Sequence, residues 1–123
     1  MNQKNKIQKD NELLQLIQRD CRYGNKDGFV NVVKRNSPEH EVTKTLVTHW
    51  LLNNGYTVFS EAAFVNGLGK ADIIAIQNGQ GYAIEILHSE TEKRFQAKFD
   101  KYPSEFTLVK VDSKTFDYEK FCL

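Results

Sequence analysis

Two acidic residues stand out by the company they keep. Asp72 is followed by Ile73 and Ile74, and Glu85 is set among Ala83, Ile84 and Ile86. Each carboxylate therefore belongs to a stretch that otherwise has the composition of a strand covered on both faces. An ionised carboxylate there costs several kcal/mol unless it is paired, hydrogen-bonded or bound to a metal. Between the two lies Asn78-Gly79, a strong hairpin signal that folds the strand of Glu85 back beside the strand beginning at Asp72. The acids then converge, and each raises the other's pKa unless a cation intervenes. A pair of hard oxygen ligands suits Mg²⁺ or Mn²⁺, which keep several waters and accept phosphate oxygens. Such a metal polarises a phosphodiester and acidifies a bound water. The alternative for Glu85 is a buried ion pair with Lys70 or with a residue of another strand.

The elements that must position these acids are legible from caps and turns. Residues 10–21 place Leu13, Ile17 and Cys21 at helical spacing, with Leu14 and Leu16 beside them. Residues 23–36 carry turn signals and the apolar pairs Phe29-Val30 and Val32-Val33, which suit a short strand or a helical turn equally. Ser37 as N-cap, Pro38 at the first position and Glu39 near the positive end open a helix that reaches about Asn53. Val42, Leu46 and Trp50 form its expected buried stripe, and Asn54-Gly55 its stop. Strands are expected at 56–64, 71–76, 82–88 and 106–111, the second of them central. Ser89 with Glu92 is a capping box, opening a helix to about Tyr102 that shows Phe95, Phe99 and Tyr102 on one face. On the same helix Arg94, Lys98 and Lys101 recur at i, i+4 and i+7. That basic stripe is either a solvated face or a set of phosphate contacts.

Composition narrows the class. A chain of 123 residues, 40% hydrophobic and 27% charged, suits one globular domain. No apolar run approaches the roughly 18 to 20 residues needed to span a bilayer. Residues 1–9 are polar and lack the core of a secretory signal, so a soluble cytoplasmic protein is expected. Cys21 and Cys122 match no metal spacing and read as reduced thiols. The net charge of +1 is unevenly spread: residues 1–35 carry +4, 36–92 carry −5 and 93–114 carry +3. An acidic middle suits a metal, and basic flanks suit phosphates, although a solvated surface gives the same pattern. Arg22, Tyr23 and Lys26 join the nucleic-acid candidates on charge alone. His40 and His49, nine residues apart on one helix, fall on different faces and make no ligand set.

Taken together, Gly69-Lys70-Ala71-Asp72-Ile73-Ile74-Ala75 followed by Ala83-Ile84-Glu85-Ile86 resembles the PD-(D/E)xK, or restriction-endonuclease-like, nucleases. It looks most like the archaeal Holliday-junction resolvases and related small nuclease domains, over roughly residues 38–112. The resemblance implies an α/β fold: an αβββαβ core at 37–123, its mixed central sheet flanked by helices, after an N-terminal helix and extension at 1–36. It implies Asp72 and Glu85 as metal ligands, with Glu41 completing the site, although the helix dipole alone explains an acid at Glu41. It also implies DNA, including branched DNA, as substrate and a homodimer as the working form.

One departure matters. The family pattern continues E-x-K, and this chain reads Glu85-Ile86-Leu87. In the family that lysine positions the water and stabilises transition-state charge, and losing such help costs on the order of 10² to 10⁴ in rate. His88 points to the other side of the strand from Glu85 unless the strand bulges. Lys70 and Lys98 are the candidate replacements, and Glu61 is either a further acid of the site or an exposed strand residue. Three functions follow: a metal-dependent endonuclease; a non-catalytic nucleic-acid-binding module, which Leu87 favours; and a protein-interaction domain, which the near-zero charge allows.

Overall fold

The Asn78-Gly79 turn has φ of 52° and 81°, the left-handed pair of a type I′ hairpin, and the ladder closes with Gln77 opposite Gln80. A computed structural model of the chain describes residues 3–18, 27–67, 69–88, 96–97 and 100–123. Its elements are helices α1 (Gln3–Leu14) and α2 (Pro38–Asn53) and strands β1 (Thr57–Ala63), β2 (Lys70–Gln77), β3 (Gln80–Leu87) and β4 (Phe106–Asp112). The sheet order is β1-β2-β3-β4, antiparallel except for the parallel pair β3 and β4. This is the expected restriction-endonuclease-like core with its mixed sheet and additional N-terminal helix.

A parallel pair requires a crossover, and here it runs through residues 88–105. Most of the helix expected at 89–102 lies outside the described residues. Gln96 and Ala97 are helical, and the Asp100 N–H donates to the Gln96 carbonyl at 3.3 Å.

Each face of the sheet is covered. On one, Leu13 and Ile17 pack against Phe59, Phe64, Ile74, Ala83 and Phe106. On the other, Val47 and Leu51 of α2 pack against Val58, Ile73, Ile84, Ile86 and Val111. Ser37 caps α2, its Oγ accepting the His40 N–H at 3.1 Å, and Gly55 ends it at φ 84°. The tail brings Phe116 and Phe121 onto the α2-side core, Phe121 meeting Trp50 edge-on at 4.9 Å. Cys122 is an exposed free thiol, and Cys21 lies outside the described residues.

Two helical expectations are corrected. The first helix ends at Leu14, because the following segment pairs with the end of β1: Gln18 N–H donates to Ala63 at 2.8 Å and Val65 N–H to Leu16 at 2.9 Å. Leu13 and Ile17 are buried as expected, but Ile17 through a bridge to Phe64. On α2 the buried face is Lys44, Val47, Thr48 and Leu51, while Val42 and Leu46 are exposed. A buried polar cluster, described below, lies on the inward face, so Val42 and Leu46 of the expected stripe face outward while Trp50 stays packed against the core.

The β1–β2 ladder breaks at one place. Ser60 pairs with Ile73 and Ala62 with Ala71, and between them Glu61 sits at φ 50°. A non-glycine residue there costs about 1–3 kcal/mol and needs surrounding contacts to hold it. Alternation fails on both strands at this level. Phe59 and Ala62, three apart, share the α1-side core, as do Ala71 and Ile74. Asp72 stands where the alternation breaks.

Candidate active site

The β2–β3 ladder runs from Gln77–Gln80 to Ile73–Ile84 and stops just short of Asp72 and Glu85. Beyond that point a side chain replaces backbone pairing: Asp72 Oδ2 accepts the Ile86 N–H at 2.8 Å. The two acids therefore lie at a fork between the central strands, at positions that face each other across it. Glu85 is 1% exposed.

Tyr102 reaches the same fork from the crossover. Its hydroxyl donates to the Lys70 carbonyl at 2.9 Å and also contacts Glu85 Oε1. Gly69 makes this approach possible. A Cβ there would lie 2.5 Å from the Tyr102 ring, so only glycine lets the ring lie over the start of β2.

On the α2 side the site continues as a chain of alternating charges. His40 stands between two acids, Nε2 at 3.3 Å from Asp72 Oδ2 and Nδ1 at 3.1 Å from Glu41 Oε1. Glu41 Oε1 also accepts the Asn36 amide at 2.7 Å. Lys44, one turn along α2 and fully buried, has its ammonium 2.6 Å from Glu41 Oε2 and 2.9 Å from Glu61 Oε1. It also donates to the Asn31 carbonyl at 2.6 Å. Lys70 ends the chain at 3.4 Å from Glu61 Oε2.

The electrostatics follow from these contacts. Hydrogen bonding to Asp72 raises His40 above its ordinary value, against the opposing effect of burial. Burial pushes Asp72 up, but His40, the Ile86 N–H and the hydrogen bond with Glu85 together hold it below the usual carboxylate range. Glu41 is likewise pushed up by burial and held down by Lys44 and Asn36.

The sequence candidates are thus placed as follows. Asp72 and Glu85 are brought together. Glu41 is near but separated from Asp72 by His40. Glu61 is neither a bare addition to the pair nor an exposed strand residue: its side chain is 11% exposed and held by Lys44 and Lys70. The ammonium of Lys70 goes to Glu61. Lys101 is exposed and packs its Cβ near Gly69, while Arg94, Lys98, Arg22, Tyr23 and Lys26 lie outside the described residues. His88 turns to Ser113 Oγ at 3.1 Å, and His49 to the Tyr118 hydroxyl at 2.8 Å.

Sequence reasoning missed His40, Lys44 and Tyr102. One signal was available: Lys44 and Lys70 are the two basic residues in the acidic stretch 36–92, and both enter the cluster. For His40 the signal was its position next to Glu41 in the first turn of a well-capped helix.

The metal expected from the acids was tested against this donor set. Among the described residues no group of three or more His, Cys, Asp or Glu side chains is arranged to hold a metal ion. A pair of acids at one fork is nevertheless a sufficient protein contribution for Mg²⁺ or Mn²⁺, which take one or two carboxylates and complete their shell with water and phosphate. Two neighbouring acids, one of them buried, also favour a cation beside them. The pair fits the ion on those grounds, with His40 and Tyr102 as competitors for the same oxygens.

Residues 36–108 match the family described as competence protein CoiA, nuclease-like domain, and the chain belongs to that family. No curated protein and no solved structure matches the chain at a significant level. Among the described residues no helix is long and apolar enough to cross a membrane.

Proposed function

We propose that this chain is a divalent-metal-dependent DNA endonuclease of the PD-(D/E)xK type, with Asp72 and Glu85 holding Mg²⁺ or Mn²⁺. The observation that carries the reading is the placement of the two acids opposite each other at the β2–β3 fork, with Asp72 reaching across to the Ile86 N–H. A divalent cation held there by Asp72 and Glu85 would supply polarisation of the scissile phosphate and a more acidic bound water. The chain's own residues do the rest. Asp72 is held ionised by His40 and the Ile86 N–H, so it is ready as an oxygen donor at neutral pH. Glu41 acts through His40, fixing the ring that touches Asp72. Tyr102 orients the Glu85 carboxyl through its hydroxyl. Lys101 and the basic residues before it on the crossover are the proposed phosphate contacts.

A second reading has its own support. The lysine position holds Leu87, and His40 already stands against Asp72, as suits a nucleic-acid-binding module without cleavage. The two readings separate when the protein is incubated with supercoiled plasmid, single-stranded DNA, RNA and a four-way junction, with Mg²⁺, Mn²⁺ or EDTA. Metal-dependent DNA cutting that Asp72→Asn and Glu85→Gln each abolish is expected. Retention of DNA without cutting, independent of metal, would replace the first reading with the second. Preference for the junction, with a dimer in sedimentation, is the outcome expected if the resolvase likeness extends to assembly.

A further inference from the structure

The missing lysine has a structural replacement on the neighbouring strand. In the parallel β3–β4 ladder Glu85 is register-matched to Lys110, and Leu87 to Asp112. The faces are fixed by the core. Ile84, Ile86, Val109 and Val111 belong to the α2-side cluster, whereas Ala83, Phe106 and Leu108 pack on the α1-side cluster. Alternation along each strand puts Glu85 and Lys110 on that second face, side by side at the strand spacing of about 4.8 Å. A lysine stem is long enough to bring its ammonium level with the Glu85 carboxyl, and Lys110 is exposed, so solvent and a docked phosphate can reach it. Leu87 is on the same face, one strand across and two residues along, so a lysine there and Lys110 project into one volume.

We infer that Lys110, projecting from β4 beside Glu85, supplies the cationic group that the E-x-K lysine supplies in the nucleases this chain resembles; the inference rests on the nuclease reading above. In the reaction the oxygen of water bonds to phosphorus as the P–O bond to one sugar oxygen breaks. Water loses one proton and the leaving oxygen gains one, so no electron or net proton is consumed. Lys110 stays protonated throughout. Its ammonium offsets the charge that builds on the phosphoryl oxygens and orients the attacking water by hydrogen bonding.

The test compares four proteins on plasmid DNA in Mg²⁺ and Mn²⁺: wild type, Lys110→Ala, Leu87→Lys, and the double variant Lys110→Ala/Leu87→Lys. Thermal melting confirms that each folds, which an exposed strand position permits. Lys110→Ala is expected to lower kcat by about 10²- to 10⁴-fold with little change in KM, and the double variant to recover most of the loss. A lysine serving only to pair with Glu85 would lower the melting temperature instead, and Leu87→Lys would not restore the rate. Wild-type rates in Lys110→Ala overturn the inference while leaving the nuclease reading intact. An inert wild type made active by Leu87→Lys also overturns it, showing a competent acidic pair that Lys110 does not serve. If wild type and Leu87→Lys are both inert, the inference and the nuclease reading fall together.

Discussion

Replacing Lys44 by methionine isolates the energetics of the buried charge cluster. Methionine keeps an unbranched apolar stem, so little packing is lost, and the change removes a cation whose side chain is wholly inaccessible. It strands the Asn31 carbonyl and one oxygen each of Glu41 and Glu61, whose side chains are 10% and 11% exposed. Removing one partner of a buried ion pair costs about 3–5 kcal/mol. Here Glu61 keeps Lys70 at 3.4 Å, and Glu41 keeps Asn36 at 2.7 Å and His40 at 3.1 Å, so the lower end applies. With an unfolding entropy of about 2.1 cal/mol/K per residue, a loss of about 3 kcal/mol lowers the melting temperature of a chain this size by roughly 12 °C. Urea unfolding at constant m-value reads the free energy, and calorimetry the temperature. Adding Glu41→Gln and Glu61→Gln to Lys44→Met removes the uncompensated charge and should recover at least half the loss. A single-variant loss below about 1 kcal/mol, or no recovery in the triple variant, would refute the cluster as the reason α2 is turned with its lysine inward.

Other perturbations are equally direct. His40 has a raised pKa, so its stabilisation is complete below its ordinary 6.5 and lost as pH climbs through the folded value; Asp72 is lowered, so its part is complete above 3.8 and lost as pH falls through the folded value. Metal-free protein should therefore owe most to this pair between those two values, and His40→Gln should flatten the loss of urea midpoint seen from pH 5.5 to 8.5; an unchanged slope would remove the pair as its cause. At Gly81 an added Cβ would meet Phe106 carbons at 2.8 Å and Leu13 at 3.3 Å. Gly81→Ala should cost about 1–3 kcal/mol by overpacking, and an unchanged urea midpoint would mean that Phe106 does not press on β3 there.

Much of this architecture could be read locally because its boundaries are set by local chemistry. The Ser37-Pro38 start, the Gly55 stop and the Asn78-Gly79 turn each depend on a few adjacent residues, and each falls where the sequence places it. The misreadings have non-local causes. The first helix stops early because Gln18 and Val65 find partners across a long loop closure, which no periodicity encodes. The buried face of α2 defied its apolar pattern because Lys44 finds two acids from different elements, one of them in a strained strand position. At the site, Asp72 and Glu85 were legible because an acid in an apolar run needs an explanation. His40 and Tyr102 were not, since their partners are distant in sequence and only the fold brings them to the fork.

The type I′ turn at Asn78-Gly79 acts as a gauge for chemistry far from it. It fixes Gln77 against Gln80, and counting down the hairpin from that pair is what sets Asp72 across from Glu85, roughly 17 Å away at 3.3 Å per residue. One extra residue in the turn would slide every rung by a step, send Glu85 to the wrong side of its strand and leave Asp72 facing an isoleucine. Length at this turn is therefore under tighter constraint than its composition, and changes in loop size there must come with a matching change in the strands.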